Sequence, residues 1–154
     1  MDHPIWRTRM PLRSVLPSSL LVLALCWAQP AAAAPALGLG ADYLVDPSAG
    51  AFQLTLAVER SIARQVTVGG RFGALIVSEP TRVGVPLDLR LRGRFGRAYL
   101  DGLIGPWILF DDDDALRLHA AIGFGLIRRG ISFGLEVGYL DPTAMVGLRL
   151  AFSI

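Results

Sequence analysis

The chain has 154 residues, with 15 Lys and Arg against 13 Asp and Glu, and it contains 1 cysteine. This length predicts one compact domain, and a single cysteine excludes a framework of internal disulfides. All of the fixed positive charge is arginine, since the sequence has no lysine.

The first 33 residues have the three-part pattern of a secretory signal peptide. Three arginines come first, an apolar run follows at 20–28, and small residues follow at 31–34. The apolar run is shorter than the roughly 20 residues of a spanning helix, which disfavours the alternative of an uncleaved anchor. We expect cleavage after Ala33, so that residues 34–154 form the mature domain.

Cleavage after Ala33 changes the net charge of the domain that remains. The leader holds 3 arginines and 1 aspartate, so the mature domain keeps 12 arginines (15 − 3) and 12 acids (13 − 1). A neutral domain gives no support for nucleic-acid binding. The mature domain also lacks cysteine, which excludes thiolate chemistry.

Alternation of apolar with small or charged residues recurs eight times after the leader, and no helical period is present. This pattern predicts eight β-strands, because successive side chains of a strand face opposite sides of the sheet. The predicted strands are 36–45, 51–59, 65–76, 85–95, 97–110, 116–127, 131–140 and 144–154.

Short connectors separate the predicted strands, which favours antiparallel pairing of neighbours in a meander. Acids dominate one set of connectors, at 46–50, 78–84, 111–114 and 141–143, and arginines dominate the other, at 60–64, around Gly96 and at 128–130. Strands near ten residues long suit a tilted crossing of a bilayer.

Pro106 does not fit the fifth strand. Proline has no N–H group for the ladder, so it is poorly placed in a paired strand. We expect the fifth strand either to end near Gly105 or to bulge at the proline.

One face of the predicted strands combines glycines with charged side chains. Glycines weaken a sheet that faces water, but in a narrow closed barrel they leave room for long side chains to cross the lumen. We therefore predict that this face lines the lumen and that its charges form ion pairs. The predicted network contains Asp42, Glu59, Arg71, Asp88, Arg90, Arg92, Arg94, Asp101, Arg117, His119, Glu136 and Arg149.

The other face is large and apolar in all eight runs, as a lipid-facing surface requires. Aromatic residues on this face lie near the strand ends, which predicts two girdles at the membrane surfaces. The predicted outer girdle contains Tyr43, Phe52, Trp107, Phe110 and Tyr139. The predicted inner girdle contains Phe95, Phe124, Phe133 and Phe152.

This pattern resembles the small eight-stranded outer-membrane barrels, such as the transmembrane domain of OmpA and the OmpX family, over residues 36–154. The resemblance implies an all-β, eight-stranded antiparallel up-and-down transmembrane barrel in the outer membrane of a Gram-negative bacterium. It also implies a monomer without cofactors, in contact with outer-membrane lipid and lipopolysaccharide and inserted by the assembly machinery. The function expected is a non-enzymatic one, structural or in surface interaction, with the lumen plugged by ion pairs.

Two alternatives to this function remain open. The first is a soluble exported lipocalin-like barrel that binds a hydrophobic ligand. The second is an outer-membrane lipid-modifying enzyme, for which His119, Ser132 and Glu136 are the available base, nucleophile and orienting group. We expect His119 to belong to the ion-pair network instead.

The acidic run Asp111, Asp112, Asp113 and Asp114 is a weak candidate for a divalent cation site, because such cations prefer oxygen ligands. Consecutive acids lack the spacing of known calcium loops. We therefore expect a solvated acidic turn and no metal.

Overall fold

The computed structural model describes residues 33–110 and 114–154, which form a closed antiparallel barrel of eight strands. The strands are β1 (Ala34–Leu44), β2 (Ala49–Ala63), β3 (Val66–Ser78), β4 (Thr81–Phe95), β5 (Ala98–Leu109), β6 (Leu116–Arg128), β7 (Ile131–Leu140) and β8 (Thr143–Ser153). Each strand pairs with the next along the chain, and β1 also pairs with β8. Closure removes the exposed edges that an open sheet would have.

The fold therefore confirms the predicted eight-stranded antiparallel barrel. Residues 1–32 of the predicted signal peptide lie outside the described residues. Within the described part of the chain, no helix is long and apolar enough to cross a membrane.

Two strands are longer than the sequence pattern predicts. β2 continues to Ala63 and β4 begins at Thr81, so the connectors predicted at 60–64 and 78–84 shrink to 64–65 and 79–80. The polar strand ends continue because each has a partner across its hairpin, as in the pairs Ser61–Thr67 and Ser78–Thr81. Alternation of apolar residues is not required once the backbone ladder is in place.

The hairpin between β6 and β7 shows how tight these turns are. Arg129 and Gly130 both have positive φ, 51° and 81°. Two such residues in succession are the mark of a type I′ turn, whose twist matches that of the flanking strands. The turn closes directly onto the pair Arg128–Ile131.

Pro106 neither ends nor bulges the fifth strand, so both expectations were wrong. β5 continues to Leu109, and the β4–β5 register is the same on both sides of the proline, with Pro86 opposite Trp107 and Leu89 opposite Ile104. The ladder to β4 is interrupted only between these two pairs, and Pro106 still lies opposite Leu118 of β6. The missing N–H of Pro106 therefore leaves only a short gap in the β4–β5 ladder, because β6 still pairs with β5 on its other side.

The two ends of the barrel carry different segments of the chain. The terminal end carries Ala34, Ser153 and the turns at 64–65, 96–97 and 129–130. The loop end carries the β1–β2, β3–β4, β5–β6 and β7–β8 connections. The core of the molecule is the lumen between the two ends, since the large aliphatic side chains of alternate positions lie on the outer surface.

Candidate functional site

The centre of the lumen holds a cluster of charged side chains from six strands, which we call the central cluster. It consists of Asp42, Arg71, Asp88, His119, Glu136 and Arg149, with two guanidinium groups bridging three carboxylates. Arg71 pairs with Asp88 at 2.7 Å and with Glu136 at 2.8 Å. Arg149 pairs with Glu136 at 2.7 Å and with Asp42 at 2.6 Å.

Glu136 and Asp88 are the two acceptors on which this cluster depends. Glu136 accepts hydrogen bonds from both arginines, and Asp88 accepts from Arg71, from Trp107 Nε1 at 3.1 Å and from the His119 ring. Except for Arg149, whose side chain is 13% exposed, all of these side chains are buried. Charged groups removed from water in this way are stable only when they are paired and hydrogen-bonded together.

His119 has no exposed surface. Its Nδ1 lies 2.7 Å from Asp88 Oδ1, and its Nε2 lies 3.6 Å from Glu136 Oε1. The ring also packs on Trp107, with 4.5 Å between ring centroids. The expectation that this histidine belongs to the lumen network is confirmed.

Ser132 is not near His119, so the candidate triad is not assembled. On β7 the residue opposite His119 is Leu140, whereas Ser132 lies opposite Ile127. Ser132 and Leu140 are eight residues apart on the same strand, a separation of roughly 27 Å at the usual rise per residue. Sharing the inward face therefore does not bring the serine to the histidine.

A second group of charges, the terminal cluster, lies nearer the terminal end and consists of Glu59, Arg90, Arg92, Arg94 and Asp101. Arg90 pairs with Glu59 at 2.9 Å, and Arg92 pairs with Asp101 at 2.7 Å. Arg94 is more loosely paired, since its guanidinium lies 3.8 Å from the Glu59 carboxylate and its side chain is 48% exposed. The predicted network is thus two clusters with opposite imbalance, one rich in acids and the other rich in arginines.

Two side chains that the sequence patterns did not single out complete the terminal cluster. Thr67 donates to Glu59 at 2.9 Å, and the guanidinium of Arg92 lies 4.3 Å from the centre of the Tyr99 ring. Both residues are buried. Thr67 lies at an even spacing from the inward Arg71 and Tyr99 at an even spacing from the inward Asp101, so the charged residues of β3 and β5 were the signal for their inward position.

Gly147 shows why glycines alternate with the lumen charges. A Cβ atom built there would lie 2.6 Å from Nη1 of Arg149 and would also collide with Asp42 Oδ1. Only a residue without a side chain leaves room for the Arg149–Asp42 pair. The predicted role of the inward glycines is confirmed at this position.

The loop end of the lumen is closed by apolar side chains, a feature that the sequence analysis missed. This apolar plug consists of Leu44, Ala49, Ala51, Leu75, Val77, Trp107, Leu109, Leu140 and Met145. The sequence of β5 indicated this plug, because its inward positions are apolar like its outward ones. For the same reason the alternation of β5 looked irregular. Structurally that strand alternates throughout between exposed and buried positions.

Trp107 corrects one residue of the predicted outer girdle. It is fully buried in the lumen, where it covers His119 and donates to Asp88. Its polar N–H finds a buried hydrogen-bond partner there, as that of a buried tryptophan usually does. The other eight predicted girdle residues all face outward and are exposed: Tyr43, Phe52, Phe110 and Tyr139 near the loop end, and Phe95, Phe124, Phe133 and Phe152 nearer the terminal end.

The remaining predicted site residues lie at the loop end. Arg117 is half-buried there and donates to the backbone carbonyl of Asp141 at 3.0 Å. Asp111, Asp112 and Asp113 lie outside the described residues, and Asp114 is exposed. Among residues 33–110 and 114–154, no three His, Cys, Asp or Glu side chains are grouped to hold a metal ion.

The lumen between the two clusters is almost completely filled. The cavity that separates them has a volume of about 30 Å³ and is lined by Arg71, Arg90, Tyr99, Asp101, Glu136 and Arg149 among others. That is about the volume of one water molecule in the liquid. The arrangement can therefore hold charges in place, but it leaves no room for a small-molecule substrate at its centre.

Comparison with known proteins supports the fold alone. No protein-family model matches the chain, and no curated protein is similar to it in sequence. A structure reported under "De novo design of transmembrane beta-barrels" superposes with a TM-score of 0.62 at 8% identity, covering 79% of this chain and 95% of that one. The designed protein TMB2.3 gives 0.53 at 13% identity, covering 82% and 98%. The KdgM porin gives 0.35 at 6% identity, covering 77% and 99%.

Proposed function

We propose that this chain is an integral outer-membrane protein of a Gram-negative bacterium with a non-enzymatic role, structural or in surface interaction. The observation that carries this proposal is a filled, charge-paired lumen behind an apolar outer surface. The apolar surface includes exposed leucines, valines, isoleucines and phenylalanines on all eight strands. A protein in water rarely exposes so much contiguous apolar area, whereas a membrane barrel requires it.

The finer parts of the proposal rest on the sequence. Export follows from the leader at residues 1–33, and the membrane contacts proposed are outer-membrane lipid and lipopolysaccharide. A completed sheet without free edges suits a monomer, which we propose is of the OmpA or OmpX type and is inserted by the assembly machinery. The loop end would face outward, because both ends of the barrel domain lie at the opposite, periplasmic end.

A soluble barrel that binds a hydrophobic ligand would need an apolar cavity inside. Instead, buried arginines and carboxylates occupy the middle of the lumen, and the apolar plug fills the loop end. The space that remains at the loop end is a cavity of about 290 Å³, lined by plug residues together with charged residues such as Glu79, Arg82 and Arg117. The filled interior therefore favours a membrane barrel over the lipocalin-like alternative.

An arginine substitution at two depths on the outer surface tests membrane insertion directly. Leu89 lies near the middle of β4 and Leu116 begins β6, and their exposed fractions are 67% and 68%. For a bilayer-embedded barrel we expect Leu89→Arg to lower the unfolding free energy by about 2–4 kcal/mol and Leu116→Arg by about 0–1 kcal/mol. Equilibrium unfolding in lipid vesicles measures both variants against the wild type.

Equal effects of the two arginines would contradict insertion, because a water-exposed surface has no depth dependence. Membrane fractionation and gel mobility before and after boiling provide an independent check. We expect recovery with outer membranes and a band that shifts on heating. Recovery in the soluble periplasmic fraction would support the lipocalin-like alternative.

Conductance tests the closed lumen. Because the charge clusters and the apolar plug block the lumen in series, we expect planar bilayers containing the protein to show no discrete channel openings. An eight-stranded barrel is only wide enough for its side chains to fill. Reproducible unitary currents, absent from protein-free bilayers, would contradict a sealed barrel and favour a pore.

A further inference from the structure

The terminal end of the lumen opens into a cavity of about 270 Å³, which we call the terminal vestibule. Arg90, Arg92 and Arg94 form one wall, because alternate residues of β4 face inward. The opposite wall is made of small residues, including Ala36, Ser132, Ala151 and Ser153. The three arginines therefore line a cavity whose other side carries small side chains.

Positive charge is in excess at this wall. Its three arginines meet two carboxylates, those of Glu59 and Asp101. Nη1 of Arg92 is 3.6 Å and Nη2 of Arg94 is 3.8 Å from the nearer Glu59 oxygens, both beyond hydrogen-bond range. A guanidinium has five N–H donors and no acceptor, so both arginines retain donors beside the cavity.

The rim of the terminal end adds charge of the same sign. Four arginines lie in or directly beside its three turns, at Arg64, Arg97, Arg128 and Arg129. The described residues 60–65, 95–98 and 127–132 contain no acid. A mouth in which positive charge predominates, with the low-dielectric sheet around it, concentrates ions of opposite sign.

We propose that the terminal vestibule binds a small soluble oxyanion of the phosphate class, held by Arg92 and Arg94. The planar guanidinium fork matches two oxygens of a phosphate group. A volume of about 270 Å³ corresponds to roughly nine water molecules, which is enough for inorganic phosphate or a small monoester. The closed sheet separates the site from the lipid chains, so a soluble phosphate is the source to which it is open.

Titration of inorganic phosphate into the purified protein in nonionic detergent, at about 0.15 M ionic strength so that charges more than about 8 Å away are screened, tests this proposal. We expect saturable binding by calorimetry, and we expect Arg94→Gln to weaken it about tenfold or more, as loss of a charge-assisted contact does. Arg97→Gln is the matched control, since it removes the same charge from the same end outside the vestibule. We expect it to change the affinity by less than about twofold.

Glu59→Gln gives a result of opposite sign. Removing this carboxylate frees donors of Arg90 and deletes a like charge beside the anion, so we expect phosphate to bind about tenfold more tightly. Dispersed short-chain phosphatidic acid should bind no better than inorganic phosphate if the source is soluble.

Equal losses in the Arg94 and Arg97 variants would overturn the proposal, because the rim alone would then attract the anion. Absence of saturable phosphate binding, or weaker binding after Glu59→Gln in a folded protein, would overturn it as well. Preference for the lipid phosphate would overturn the soluble source. The comparison of the two arginine variants stands even where Glu59→Gln fails to fold, since Arg94 is half-exposed.

Discussion

Replacing Glu136 by glutamine is expected to lower the unfolding free energy by about 3–5 kcal/mol, the usual cost of breaking a buried pair by removing one partner. Glu136 accepts from Arg71 and Arg149 together. The substitution keeps the shape of the side chain but leaves the buried Arg71 and the half-buried Arg149 with less negative charge. Urea unfolding of the refolded protein, followed by the folded and unfolded gel bands, measures the loss.

Glu79→Gln is the matched control for this measurement. Glu79 undergoes the same chemical change, but it is exposed in the β3–β4 turn at the loop end. Exposed charges contribute at most about 1 kcal/mol. A Glu136→Gln protein as stable as the Glu79→Gln protein would show that the central cluster does not depend on the Glu136 carboxylate.

Replacing Trp107 by alanine is expected to cost about 3–5 kcal/mol, because it leaves a cavity where a large buried side chain was. Among residues 33–110 and 114–154, Trp107 is the largest fully buried side chain, and it covers both His119 and Asp88. The same unfolding measurement applies. The effect should be largest at the loop end, where hydrogen exchange of the β5 and β6 amides should increase.

Trp107→Phe separates packing from hydrogen bonding at this position. Phenylalanine keeps a ring on His119 and removes only the N–H donor to Asp88, so we expect a loss of about 1–3 kcal/mol. Phe52→Ala is the control on the outer surface, where no lumen cavity is created. A Trp107→Ala protein no less stable than the Phe52→Ala protein would contradict the inward position of the tryptophan.

The strand count, the two faces and the closed topology were predictable because they depend on local signals. Period-two alternation fixes which side chains share a face, and short connectors force neighbouring strands to pair. The inward position of Glu59, Arg90 and Arg149 followed from the same rule. The role of the inward glycines, such as Gly147, in leaving room for the lumen side chains was predictable for the same reason.

The fifth strand marks where this reasoning fails. Inward Leu103, Trp107 and Leu109 and outward Ile104 and Ile108 are all apolar, so hydrophobicity alone does not set the phase of the alternation. The girdle assignment of Trp107 was wrong for this reason. Pro106 added to the difficulty, because a proline suggests a strand end when the strand is considered without its neighbours.

The pattern of residue types along the chain is therefore enough to specify an eight-stranded antiparallel sheet with an apolar face and a charged, glycine-rich face. Which charges meet depends on the closed barrel. Arg71 and Glu136 are 65 residues apart and lie on strands that are not neighbours. Their contact depends on the curvature and stagger of the closed sheet. Curvature and stagger also separate Ser132 from His119 and divide the charges into two clusters. Because the strands are tilted, the height of a residue along the barrel axis is set only when the sheet closes.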